Sequence, residues 1–380
     1  MRSSLEDLLV YDNLAFSTPR PSGSSFGDES DDEDVYIKAN ARAPFTFCDQ
    51  NTSTQLNVEL FGDPSWPRIL LFVPGVCESA ETWTVQNLVR ICISRNWRVA
   101  VLELEGHGLS EGSRGLIGSS WNRCIRQVKV FCGHALDVDR AQKRILFNYE
   151  PENSRFALAG DSLGGALAAY ACQDILKDED LSMRSYYAGT LLLSPAVGVD
   201  PLVVPPPIVV TCLSILSFVL PSVGIEGATP TEDPSHYNCP PWTRRNFRGA
   251  WPLGTSKILL DVTSNRVPND VESGLLNLLI PKVKHTIRVI SGAKDPVVPF
   301  QAVQNFVHQM QSKVPLCDRR EQEQETATMM KLIQIKKGGH GLLSKSIENQ
   351  NLSKTQKDSM NAAVEHVNAF LKLCEEMASD

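Results

Sequence analysis

The chain has little that would mark it as a zinc, disulfide or nucleic-acid protein. Its ten cysteines are scattered, with no Cys-x-x-Cys pair and no zinc-ligand spacing. They read best as small buried hydrophobes in a reducing compartment. A basic excess is lacking as well. The net charge of −7 argues against nucleic acid as a partner and against a polybasic membrane contact. No apolar run precedes the acidic stretch near the start, so no secretory signal is expected and a cytoplasmic location follows. Without such a signal the acceptor patterns at Asn51-Thr52-Ser53 and Asn351-Leu352-Ser353 carry little weight. The chain shows no internal repeat. Its longest apolar run, Ile208–Leu220, falls short of the about 20 residues that an ordinary membrane span needs.

What is present is a soluble-type composition, 42% hydrophobic and 21% charged, enough for a substantial core. Six of the acidic residues fall in Asp28–Asp34, which leaves the remainder close to balanced. Residues 1–40 hold a Ser/Pro/Gly stretch and that acidic run, with few apolar side chains to offset ordering entropy, and are expected to form a disordered tail. Ser30, followed by three acidic residues, has the pattern of a site for an acid-directed kinase, but a solvated tail is the favoured reading.

Beyond the tail the pattern alternates. Strands are predicted at Leu56–Phe61, Ile69–Val73, Val99–Leu102, Phe156–Leu158, Thr190–Leu193, Ile287–Ile290 and Met330–Ile335. Helices are predicted between and after them, among them Ala80–Arg95, Trp121–Phe147, Gly164–Leu176, Phe300–Gln311 and Thr355–Met377. Such alternation implies an α/β fold, a mostly parallel sheet of about eight strands with helices on both faces. It breaks once, between Ser194 and Lys284, where proline clusters, the apolar run Ile208–Leu220, and Trp242 and Trp251 among Arg244, Arg245 and Arg248 replace it. The expected organisation is therefore a core of residues 41–194 and 285–380 interrupted by an inserted cap, residues 195–284. The apolar run suits either a buried core helix or a helix lying at a lipid interface.

The strongest chemical signal is Gly160-Asp161-Ser162-Leu163-Gly164-Gly165, placed directly after a strand and opening a small-residue helix. In that context Gly-x-Ser-x-Gly is a nucleophile elbow, its glycines required because Cβ atoms two positions either side of the serine would clash. A serine hydroxyl needs a base to become a nucleophile. Of the seven histidines, His308, His366 and His134 fall in predicted helices, His236 and His285 lie in the insertion or at its end, and His107 precedes the serine. His340, in Gly338-Gly339-His340-Gly341 after the last strand, is where α/β folds place ligand-contacting groups. Asp295, after the strand Ile287–Ile290, supplies the acid that orients such a base. The order Ser162, Asp295, His340 is that of α/β-hydrolases and differs from the two other common triad orders. The N–H groups of Val76 and Leu163 are the expected oxyanion-hole donors. Gly106-His107-Gly108-Leu109-Ser110 resembles a dinucleotide loop only superficially, because Glu111 occupies its final glycine position. No cofactor and no metal are implied, and His107 reads as a structural group that tethers loops.

Taken together, Gly106–Gly112, Gly160–Gly165, Ala293-Lys294-Asp295 and Gly339-His340 resemble the monoacylglycerol lipase-like, or serine aminopeptidase S33-like, branch of the α/β-hydrolases, over roughly Ala43 to Phe370. The resemblance implies an ester hydrolase acting on a monoacylglycerol or related lysolipid, with a hydrophobic cap able to rest on membranes; it sets no oligomeric state. Lysophospholipase or acyltransferase action is the alternative within the same chemistry, and a silent binding protein is the alternative outside it, disfavoured because all three triad residues are present. A carboxylate nucleophile, as epoxide hydrolases use, is excluded by Ser162. The chain departs from the family at three places. Pro74-Gly75 replaces the usual His-Gly, and Glu103 stands where aspartate is usual, with a small expected effect. Cys317–Thr326 reads as a charged insertion forming a solvent-exposed loop.

Overall fold

The computed structural model describes residues 41–42, 45–49, 52–63, 65–118, 120–136, 155–177, 184–224, 247, 250–280, 285–313, 329–345 and 352–377. The acidic tail, Trp242, the arginines at 244, 245 and 248, His236 and the segment Cys317–Thr326 lie outside them.

Among the described residues nine strands form the sheet: β1 (Ala41–Arg42), β2 (Phe45–Asp49), β3 (Thr52–Phe61), β4 (Arg68–Val73), β5 (Trp97–Glu103), β6 (Arg155–Asp161), β7 (Tyr187–Leu193), β8 (Thr286–Gly292) and β9 (Met330–Ile335). Eight of them run in the order β1-β3-β5-β4-β6-β7-β8-β9, and β2 pairs with β3. The pairing of β3 with β5 is antiparallel, and from β5 to β9 every neighbour is parallel. Parallel strands covered on both faces read as continuous apolar runs, as in the sequence of β4, Arg-Ile-Leu-Leu-Phe-Val.

Alternate residues of those runs enter two separate cores. Ile69, Leu71 and Val73 of β4 join Phe156 and Leu158 of β6 on one face. Leu70 and Phe72 join Ala157 and Ala159 on the other. The first face is covered by helices α2 (Trp121–Leu136), α3 (Leu163–Leu176) and α7 (Phe300–Ser312), the second by α1 (Trp83–Ile93) and α8 (Lys354–Glu376). Each fully buried Leu, Ile, Val or Phe contributes roughly 1.5–3 kcal/mol relative to exposure, so the long list of such side chains on both faces holds the sheet centrally. Six of the cysteines, Cys77, Cys92, Cys124, Cys132, Cys172 and Cys374, are buried in these layers. Burial pushes the Cys172 thiol up to about 11 and those of Cys124 and Cys132 to about 12, so they stay protonated and inert at neutral pH.

Between β7 and β8 the chain leaves the sheet and forms the inserted cap, with helices α4 (Pro207–Val219), α5 (Leu253–Asp261) and α6 (Val267–Ser273). A single π turn, Val262–Arg266, joins α5 to α6. Pro268, at the start of α6, has no N–H to return to the residue four before it, and this accounts for the widened turn. The core-helix reading of the apolar run is overturned here. No residue of α4 is buried, and Phe218 is 89% exposed and Ile208 74% exposed. The three polar residues that break the run turn inward on the helix itself. Thr211 and Ser214 donate to the carbonyls four residues before them and Ser217 to the one three before. The surface of α4 is therefore almost wholly hydrocarbon. Among the described residues no helix is long and apolar enough to cross a membrane.

Candidate active site

The C-terminal ends of β4, β6, β8 and β9 deliver the candidate residues to one edge of the sheet. Ser162 stands between β6 and α3 at φ 50° and ψ −117°, a left-handed backbone that a serine adopts only under constraint. The constraint is visible. The Ser162 N–H donates to the Leu193 carbonyl (2.9 Å), and its own carbonyl accepts from Ala196 N (2.8 Å) and Ala166 N (3.2 Å). The turn is also too tight for side chains. A Cβ on Gly160 would overlap the Gly164 carbonyl, and one on Gly164 would overlap the carbonyls of Val73 and Pro74. The strained backbone presents the hydroxyl at the positive end of the α3 dipole.

His340 arrives from the loop after β9. Its Nε2 lies 2.9 Å from Ser162 Oγ and its Nδ1 2.8 Å from Asp295 Oδ2. The loop is pinned by Lys294 N donating to the Gly338 carbonyl (2.9 Å) and by Ala293 N donating to that of Ile335 (2.9 Å). Gly292, at the end of β8, has no side chain because the carbonyls of Gly338 and Gly339 occupy the place a Cβ would take. Asp295 is aimed by its own turn. Its Oδ1 accepts from Val297 N and Val298 N, both at 2.8 Å, and so Oδ2 is left for the imidazole. Both Asp295 and His340 are buried. Such an arrangement can move the hydroxyl proton to Nε2, with the carboxylate holding the tautomer and facing the imidazolium as it forms.

Val76 and Leu163, the expected anion donors, both lie at this edge and are buried. Among the described residues neither of their N–H groups has an acceptor. The segment that carries Val76 packs on the elbow, since a Cβ on Gly75 would be 3.4 Å from Ser162 Cβ. Pro74 thus leaves this approach intact, and the turn it begins is closed by Glu78. Gly75 N donates to Glu78 Oε2 (2.8 Å) and Glu78 N donates to the Gly75 carbonyl (3.3 Å).

His107 stays within its own loop. Its Nδ1 is 2.9 Å from the Glu105 carbonyl, and burial lowers its pKa to about 4. Sequence reasoning missed several supporting groups. The clamp from Leu193 and Ala196 is made by backbone and leaves no residue signature. Thr255 of the cap accepts from Ile117 N (3.1 Å) and donates to the Gly115 carbonyl (2.7 Å), tying α5 to the loop that follows β5. Among the described residues no group of three or more His, Cys, Asp or Glu side chains is placed to hold a metal ion.

This sheet, this elbow and this inserted cap define a serine hydrolase fold of the α/β-hydrolase superfamily. Residues 66–318 match the family model described as serine aminopeptidase, S33, and the chain belongs to that family. Among solved structures it is similar to a monoacylglycerol lipase from Paleococcus ferrophilus, with 15% identity, a TM-score of 0.53, and 83% of this chain and 99% of that one covered. It is also similar to a soluble variant of monoglyceride lipase from Saccharomyces cerevisiae in complex with a substrate analog, with 10% identity, a TM-score of 0.56, and 88% and 97% covered. At these identities the likeness is one of fold. No curated protein sequence matches the chain.

Proposed function

We propose that the chain hydrolyses a carboxylic ester through an acyl-Ser162 intermediate, and that its substrate is a monoacylglycerol or a related lysolipid drawn from a lipid surface. The observation that carries the chemistry is the continuous hydrogen-bonded line from Ser162 Oγ through His340 to Asp295. Ser162 Oγ bonds to the ester carbonyl carbon while its proton passes to His340 Nε2. The oxygen that gains negative charge is met by the N–H groups of Val76 and Leu163. Collapse of that adduct breaks the ester C–O bond, and the leaving alcohol takes the proton from Nε2. Water then repeats the sequence on the acyl-serine, releasing a fatty acid and restoring the hydroxyl.

The lipid assignment rests on the cap. A helix with no buried residue, half-buried only along Val210, Leu213, Ser214 and Ser217 and bearing Ile208, Ile215, Leu216, Phe218 and Val219 in solvent, presents an apolar face that suits a lipid surface. We place the protein in the cytoplasm, resting on membranes through this helix, with residues 195–284 serving as the cap over the acyl chain. Incubating cell lipid extracts with wild type and with Ser162→Ala tests the assignment. Wild type alone should deplete monoacyl lipids and release free fatty acid; depletion of another lipid class, or none, would overturn it.

A further inference from the structure

A second buried carboxylate lies beneath the site and takes no part in the proton relay. Glu103, the last residue of β5, has no exposed surface. Its Oε2 accepts from Asn57 Nδ2 (2.8 Å) and from Leu109 N (2.6 Å), and its Oε1 accepts from Ala80 N (3.0 Å). The loop after β5 is shaped around it. Gly108, at φ 52°, leaves no room for a Cβ, which would overlap the Glu103 carboxyl. Ser110 Oγ donates to the Glu103 carbonyl and accepts from Asn57 N.

The contact with Ala80 gives this carboxylate a consequence for the reaction. The segment bearing Val76 leaves β4 at Val73 and reaches Ala80, tied on the way by Thr84 Oγ1 donating to Glu78 Oε1 (3.4 Å) and Thr82 N donating to the Ser79 carbonyl (3.2 Å). Within that span the Gly75–Glu78 turn is closed on itself, and Cys77 sits at φ 63°. Ala80 is held at its N–H by Glu103 and at its carbonyl by Gln86 Nε2 (3.1 Å). Residue 103 thus holds, from below, the far end of the segment that carries the Val76 N–H.

We propose that Glu103 is a positioning residue for the oxyanion loop, acting through the Ala80 N–H to hold the Val76 N–H where the tetrahedral oxygen forms. The proposal rests on the hydrolase reading above. An amide at 103 has one acceptor oxygen and would set its NH2 against at least one of the three N–H donors. Ala80 would shift, although Gln86 would keep the segment folded.

The test compares Glu103→Gln, Glu103→Asp and Asn57→Ala with wild type on a short soluble ester. Rates are counted per serine titrated by a fluorophosphonate, and inhibition by a trifluoromethyl ketone is measured beside them. Glu103→Asp keeps the charge and both acceptor oxygens but is one methylene shorter, so it draws back from Ala80 N. It serves should the glutamine variant fail to fold. Loss of a whole oxyanion donor costs on the order of 10²–10³ in kcat, and a displaced donor should cost about ten- to a hundredfold. Glu103→Gln and Glu103→Asp should both show that loss with KM within about twofold, and the ketone, whose adduct carries the same oxyanion, should weaken in parallel. Asn57→Ala, which loosens the carboxylate on the side away from Ala80, should lower thermal stability and leave kcat within about twofold. Variants at 103 that keep wild-type kcat per titrated serine and lose only stability would overturn the proposal. A wild type that neither takes the label nor turns over any ester would instead remove the hydrolase reading on which it stands.

Discussion

Tyr170, eight residues beyond Ser162 on α3, donates its hydroxyl to Asp270 of the cap at 2.6 Å. Both side chains are buried, and Arg266 Nε meets the same carboxylate oxygen at 3.0 Å. Burial, reinforced by this bond, raises the Tyr170 pKa well out of the physiological range, so the phenol remains a donor. The cap is thus bolted to the helix that opens at the nucleophile, while no residue of α4 is buried.

Tyr170→Phe removes the bolt without removing the ring. A buried carboxylate that loses one donor costs about 1–3 kcal/mol, softened here by the Arg266 pair that remains. The urea midpoint should fall accordingly, and the loss should be largest for the region around α6 in hydrogen exchange. An unchanged midpoint would show that the hydrogen bond contributes nothing net.

The exposed face of α4 is tested by Leu216→Glu and Phe218→Glu, made singly. Neither side chain is buried, so thermal stability should hold within about 0.5 kcal/mol, as for surface substitutions generally. Binding to phosphatidylcholine liposomes and turnover of dispersed monoacylglycerol should drop, while hydrolysis of a short soluble ester persists. Equal loss of both activities together with a lower melting temperature would mean that the helix is packed after all.

His107 gives the fold a pH dependence of definite sign. Folded, it takes a proton only near pH 4, against 6.5 for the ordinary group, because burial disfavours the charge. Between those values the unfolded chain binds more protons than the folded one. The contribution is therefore complete above about pH 6.5 and is lost as the pH falls toward 4, amounting to roughly 3 kcal/mol. In His107→Asn, which can still donate toward the Glu105 carbonyl, unfolding free energy should fall less over that window. Parallel curves for the two proteins would assign the acid sensitivity elsewhere.

Much of the site could be read before the structure, for a physical reason. Ser162, Asp295 and His340 each follow a strand whose apolar run announces it, and the parallel sheet delivers all such ends to one edge. The elbow glycines are equally legible, since the turn excludes any other residue. Other features depend on neighbours far away in sequence. Glu103 reads as a small departure from a motif until Asn57, Ala80 and Leu109 converge on it. The run Ile208–Leu220 is apolar on nearly every face, so its pattern carries little direction, and only the exposure of its side chains separates the two readings. The short strands β1 and β2 and the cap helices α5 and α6 lie where proline, polar residues and short length blur the periodicity; tertiary pairing decides them.

Reaction of Ser162 with a fluorophosphonate tests the central claim most directly. The hydrogen bond from Ser162 Oγ to His340 Nε2, with Asp295 behind it, should make this serine alone reactive. Wild type should take one label, located at Ser162 by peptide mass spectrometry. Ser162→Ala should take none, and His340→Ala should label slowly. Ester turnover should fall on the order of 10⁴-fold or more in both variants, as in other triads. Labelling that persists in Ser162→Ala, or turnover that survives it, would contradict the account.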